Sequence, residues 1–161
     1  MRLIKASLTL FIFFSCYANS YDAVISPLTA ADEYFIENQQ QRVNNLSKRF
    51  IGSDIRGNKT DIETLQRVID SKLVQSDNPL MLQAMGAVLG HLLSKDLHLD
   101  WKVYKDDFGR SRALCKGHSQ ECLFPMTMIS RKIEAGTKVD VKEIYIRASQ
   151  YFSDNPFSKT S

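Results

Sequence analysis

Three stretches of this sequence carry side chains able to do chemistry. Cys115-x-x-His118-x-x-x-Cys122 sets two thiols and an imidazole within eight residues. Those are zinc-ligand types, but a structural zinc site takes four ligands and needs reduced thiolates. The competing reading is a disulfide, Cys115 and Cys122 facing each other across the mouth of a hairpin whose loop is Lys116 to Glu121. Asp106-Asp107, with Glu121 and His118, offers carboxylates and an imidazole for the acid/base work of a small hydrolase. Against that, neighbouring residues of a strand point to opposite faces, and Asp106-Asp107-Phe108-Gly109 is also ordinary turn chemistry. The third set is Trp101, Tyr104 and Phe108 with Asp107, Arg110 and Arg131. Aromatics beside arginine are the side chains from which protein-binding anchors are built. The plainer account places Trp101 in the core and the arginines in solvent.

Outside these stretches the sequence carries no nucleophile elbow, zinc-protease helix, phosphate-binding glycine loop or dinucleotide fingerprint. His91 and His98 fall at no metal-ligand spacing, and His91 sits in an apolar run, as a core or boundary histidine does. No catalytic residue, metal ligand set or cofactor is therefore assigned.

The thiol chemistry depends on compartment, and the first residues read as an address. Arg2 and Lys5 precede the apolar run Ala6 to Phe14, and Ser15-Cys16-Tyr17-Ala18 supplies small residues at its exit. That is the pattern of a secretory signal peptide over residues 1–18. The run is too short for a membrane span, which takes about 20 apolar residues. Cleavage after Ala18 or Ser20 would release a soluble product. Alternatively, Phe13-Phe14-Ser15-Cys16 reads as a degenerate lipoprotein signal that leaves Cys16 lipidated and the chain anchored to the envelope. Either way Cys16 leaves the thiol pool, and an oxidising periplasmic or extracellular setting favours the Cys115–Cys122 bridge over a metal.

The chain has 161 residues, 43% hydrophobic and 24% charged, a size and make-up suited to one domain over residues 19–161. Its formal net charge is +3, from 21 basic and 18 acidic residues. Arg2 and Lys5 are the only charges in the signal, so the exported chain keeps 19 basic residues and a net charge of +1. Without a basic cluster, that balance excludes a nucleic-acid footprint.

The elements that would position these residues follow from periodicity. From Ser26-Pro27 the sequence turns helical, with a weak capping signature at Thr29–Asp32 followed by Phe35, Ile36, Val43, Leu46 and Phe50. Thr60-x-x-Glu63 is a cleaner capping box, ahead of Ile62, Leu65, Val68, Ile69 and Leu73, with helical spacing to about Val74. Asn78-Pro79 opens a third helix that is apolar nearly all round from Leu80 to Leu93 and so must be buried on several sides. Gly86 and Gly90 within it permit close approach of another backbone. Leu97, Leu99, Trp101 and Val103 then alternate, marking entry into a strand. Val103 to Asp107, Ser111 to Cys115 and Cys122 to Phe124 make an antiparallel meander. Pro125 to Ile133, stopped at Gly136, and a segment capped by Asp140 are helical. The expected fold is α+β: N-terminal helices, a short antiparallel β-meander, then C-terminal helices.

From Gly86 to Val141 the chain resembles a bacterial family, the domain of unknown function 3806, whose core would span residues 79–152 here. The resemblance rests on the apolar helix with Gly86 and Gly90, then Leu99-Asp100-Trp101-Lys102-Val103 and Asp107-Phe108-Gly109-Arg110. It continues through the run Leu123 to Ile133, which contains Pro125 and Arg131, and ends in Val139-Asp140-Val141. It implies a fold and no reaction; Cys115 and Cys122 depart from its pattern.

These observations lead to two expectations. One is an exported cell-envelope module that binds another protein through the meander face, for example as an inhibitor or immunity protein. The other is a small envelope hydrolase working near the Cys115–Cys122 hairpin.

Overall fold

The computed structural model describes residues 23–117 and 119–154. The proposed signal segment, Cys16 and His118 lie outside the described residues. Nine elements follow in the order β1 (Val24–Pro27), α1 (Ala30–Phe50), α2 (Thr60–Asp70), α3 (Pro79–Leu97), β2 (Asp100–Asp106), β3 (Gly109–Cys115), β4 (Cys122–Leu123), α4 (Pro125–Glu134) and α5 (Val141–Asp154). The four strands form one antiparallel sheet in the order β1-β2-β3-β4. The class is α+β, as expected, with helices on both sides of the meander in sequence.

Several boundaries differ from the sequence reading. Helix α2 ends at Asp70 and not near Val74, β2 begins at Asp100 and ends at Asp106, β3 begins at Gly109, and β4 ends at Leu123. Two further differences change an element's kind or its end. Val24–Pro27 is a strand, not the start of a helix, and pairs with β2 from Val24↔Lys105 to Pro27↔Lys102. Four residues ending in Pro are too short to show alternation, and only the β2 edge makes them a strand. The third helix also runs past Leu93 to Leu97, and His98 then takes the left-handed conformation (φ 53°) that ends it, its N–H donating to Ser94 O. Leu97 is thus the last residue of α3, and the alternation belongs to Leu99 onwards.

Helix α3 is the centre of the molecule. Its apolar surface contacts α1, α2, α4 and α5, and Leu82, Met85, Leu89, Leu92 and Leu93 are buried completely or nearly so. Its entry is set as the sequence predicts: Asn78 Oδ1 accepts from Met81 N, and Pro79 fills the first turn, where a missing N–H costs nothing. The main core gathers α2 (Leu65, Val68), α3, Leu99 just ahead of β2, β3 (Leu114), α4 (Ile129) and α5 (Val141, Ile144, Phe152). A smaller cluster of Ile36, Ala87 and Met126 joins α1, α3 and α4, and Trp101 touches both clusters.

Both α3 glycines are there for contact. A methyl at Gly86 would collide with the carbonyl oxygen of Pro125 and lie 2.6 Å from Met126 Cα, so the α4 backbone lies directly on α3. At Gly90 a methyl would come within 2.5 Å of the Trp101 ring and 2.8 Å of Pro125 Cβ. Backbone atoms cannot swing aside as a flexible side-chain end can. Gly86→Ala should therefore destabilise the protein by roughly 1–3 kcal/mol, the overpacking cost exceeding the gain of about 1 kcal/mol in helix propensity. Chemical denaturation would check this; a variant as stable as the parent would show that α3 and α4 are not in contact there.

Candidate functional site

The arginine face of β3 is built from two elements far apart in sequence. Arg110 and Arg112 lie two residues apart, so their side chains leave the same face of the sheet, as do Val103 and Trp101 opposite. Helix α1 meets that face with its first turn. Thr29 is its N-cap, accepting from Asp32 N through its side chain, while Asp32 Oδ2 accepts from Thr29 N and Oγ1. Asp32 is only 2% exposed. Its Oδ2 also accepts from Arg110 Nη2 at 2.6 Å, and its Oδ1 from Arg112 Nε and Nη2 at 2.9 Å. The Arg112 guanidinium lies over the Phe35 ring, 4.0 Å from its centroid. One buried carboxylate thus caps a helix and holds two arginines.

The electrostatics follow from that geometry. The Arg110 hydrogen bond, with those from Thr29 and the charge of Arg112, holds the Asp32 carboxyl far below the ordinary carboxylate range, although burial pulls the other way. Asp32 in turn raises Arg110.

The structure brings Arg110 and Arg131 together. They line a cavity of about 200 Å³ with Gln83, Ser111, Arg112, Phe124, Met126 and Thr127, a wall without acidic side chains. Tyr104 lies beside it, its ring edge-on to Phe124 at 5.1 Å. Phe108 and Asp107 form the tip of the β2–β3 hairpin; Phe108 is 99% exposed, its N–H bonded to Asp106 Oδ1. Trp101 lies apart from these residues, half-buried against Gly90, with its indole N–H buried and unpaired among the described residues. It lines a different concavity with Leu28, Glu33, Ile36, Glu37, Gln40 and His91. There burial, with Lys95 beside it, lowers the affinity of His91 for a proton, against the pull of Asp61.

Cys115 and Cys122 are joined by a disulfide across β3 and β4, and two sulfurs bonded to each other are not thiolate ligands. Asp107 and Glu121 sit beyond opposite ends of the seven-residue β3, about 20 Å apart at the rise of a strand. The carboxylates considered for acid/base chemistry do not meet in one cleft.

Sequence reasoning missed Arg112 and Asp32 as partners. An arginine two residues from Arg110 marks a shared strand face, but nothing local connects β3 to a carboxylate 80 positions earlier. Asp32→Ala should leave two arginines facing a void and cost about 2 kcal/mol or more. The pH dependence has a definite sign. A depressed folded pKa gives stability that is complete above about pH 5 and is lost as the pH falls through the unfolded carboxylate range near 4 and below. Asp32→Asn should flatten that acid limb in a stability-versus-pH series; an unchanged limb would mean that the carboxylate is not paired in solution.

The family model described as Domain of unknown function (DUF3806) matches residues 61–145, from the first turn of α2 into α5. The match starts upstream of Gly86 and takes in Arg110, Arg112, Phe124 and Arg131, while Asp32 falls outside it. No curated protein matches the chain. A crystal structure from Bacteroides thetaiotaomicron VPI-5482 is similar at a TM-score of 0.74 and 23% identity, over 81% of this chain and 48% of the other. That likeness is one of fold, and the chain spans about half the length of the protein it resembles. With more than half of its residues matched, helix α3, the meander and α4 among them, the chain belongs to the DUF3806 family.

Proposed function

We propose that the chain is an exported binding module of the cell envelope whose partner is another protein, engaged by the surface formed by the β2–β3 hairpin, β3 and α4. The observation that carries this reading is the wall of Arg110, Arg112 and Arg131 around Phe124, with no acidic side chain in it and the bare Phe108 ring at the hairpin tip. Arg112 and Arg110 share one carboxylate, so the three guanidiniums exceed the local negative charge, and no acidic partner is found for Arg131 among the described residues. A cationic rim around an aromatic floor suits a partner that presents carboxylates to the arginines and an apolar contact to Phe108. Occlusion by such a surface, as an inhibitor or immunity protein would act, needs no catalytic group.

Arg131 and Phe108 are exposed and their truncation leaves the core intact, which makes them the informative positions. Trp101 is a poor probe, since its loss would open space against Gly90. Capture of the tagged protein from its own envelope should retain one stoichiometric protein, with retention reduced at least about tenfold by Arg131→Glu and by Phe108→Ala. Unaltered retention by both variants, or a bait that holds nothing, would remove the reading.

Export rests on the sequence of residues 1–18 and has its own test. The intact mass of the envelope-associated protein should correspond to a chain starting at Asn19 or Tyr21, or at an acylated Cys16. Full-length protein confined to the cytoplasm would overturn export.

A further inference from the structure

Strand β3 has one side partly bare. Strand β2 covers it along its whole length, from Asp100↔Cys115 to Asp106↔Gly109, whereas β4 pairs only with Leu114 and Cys115. The parity of the ladder tells which groups this exposes. The bridged Cys115 and Cys122 have Cα atoms 4.1 Å apart, the close spacing of a non-hydrogen-bonded pair, and Lys116 N donates to Glu121 O just beyond it. Leu114 therefore turns its N–H and C=O towards β4, and Cys115 turns its own towards β2. Two-residue alternation then aims the N–H and C=O of Arg112 and Arg110 the same way as those of Leu114, where no strand lies among the described residues. The two-residue loop Asp107-Phe108 agrees, because it leaves Asp106 and Gly109 as the hydrogen-bonded closing pair. The bare side opens on the cavity lined by Gln83, Phe124, Met126, Thr127 and Arg131.

We infer that this edge of β3 takes an extended, acidic segment of a partner protein as an added strand. The inference rests on the protein-binding reading above and specifies its chemistry. Backbone groups of the segment would pair with the N–H and C=O of Arg110 and Arg112, while its carboxylates meet Arg131 and the exposed side of Arg110. Charge complementarity selects this occupant. The lining is cationic and lacks acids, so a second copy of the chain offering its own β3 edge would set arginines against arginines.

The test uses the isolated wild-type protein and a capped peptide of alternating Glu and Val, titrated while backbone amides are followed by NMR. The amides of Arg110 and Arg112 should shift and gain exchange protection, while that of Ser111, already committed to β2, changes little. Replacing every Glu by Lys, or N-methylating the alternate peptide nitrogens, should weaken binding at least about tenfold. Strand addition is overturned if Arg110 and Arg112 amides stay unmoved at millimolar peptide, if the Lys peptide binds as well, or if Ser111 moves with them. Loss of partner capture in Arg131→Glu alongside unmoved edge amides would keep the binding module and discard the added strand. Edge protection by the peptide with no partner captured from the envelope would do the reverse.

Discussion

The arrangement of this molecule depends on how closely α4 can approach α3. Pro125 and Met126 rest on the bare backbone at Gly86, and Pro125 and Trp101 share the space beside Gly90. Those contacts fix the start of α4, and with it Phe124, Met126, Thr127 and Arg131, every residue that α4 and its N-cap give to the arginine cavity. They also fix β2 through Trp101, and β2 carries both of its neighbours in the sheet. Helical glycine gives up about 1 kcal/mol of propensity relative to alanine, and here that loss is offset by burial of an α3 surface that is apolar on most sides.

Asp32 performs a second kind of positioning, with charge. A buried carboxylate alone would be expensive, yet this one closes a capping box and meets two guanidiniums, so each desolvated lone pair has a donor. The arrangement ties the first turn of α1 to β3 and so places a helix, otherwise packed on α3, against the sheet face. It also divides the arginines by role. Arg112 is stacked on Phe35 and held on both sides, a structural residue. Arg110 is shared, one nitrogen on Asp32 and nearly half its side chain in solvent, and Arg131 is exposed.

How much of this the sequence disclosed depended on the range of the interaction. The α3 cap at Asn78-Pro79, the α5 cap at Asp140 and the hairpin disulfide are set by residues within seven positions of each other, and all are formed. Capping boxes were less faithful. The weak signature at Thr29–Asp32 is fully formed because Arg110 and Arg112 hold Asp32 in place. The cleaner one at Thr60–Glu63 is not, since Thr60 is already inside the helix and Asp61 instead accepts from the N–H groups of Arg56, Gly57 and Asn58. Strand β1 and the Asp32 pairings were invisible because each needs a partner some 80 residues away. Of the candidate surface, Tyr104, Asp107, Phe108 and Arg110 stand out by type in the predicted meander and Arg131 in the helix after it. Trp101 also stands out by type, and its packing against Gly90 and both core clusters, which sets it apart from the arginine cavity, has no local signal in the sequence.

The open side of β3 and the contact at Gly86 have one cause. Proline cannot donate to a ladder and its ring fixes φ, so Pro125 ends β4 at Leu123 and opens α4 in its first helical turn. Phe124, at φ −116° and ψ 73°, turns the chain off the sheet between them. A strand that continued would cover Arg112 and Arg110; one that stops here leaves them beside a cavity instead. The disulfide then matters for more than covalent closure, because it holds a two-residue strand that ladder hydrogen bonds alone would keep poorly. The charged side chain of Arg110, nearly half in solvent, guards the exposed edge against indiscriminate pairing. In the proposed strand addition the same charge, with that of Arg131, would favour an acidic segment, so protection of the edge and choice of partner would share one cause.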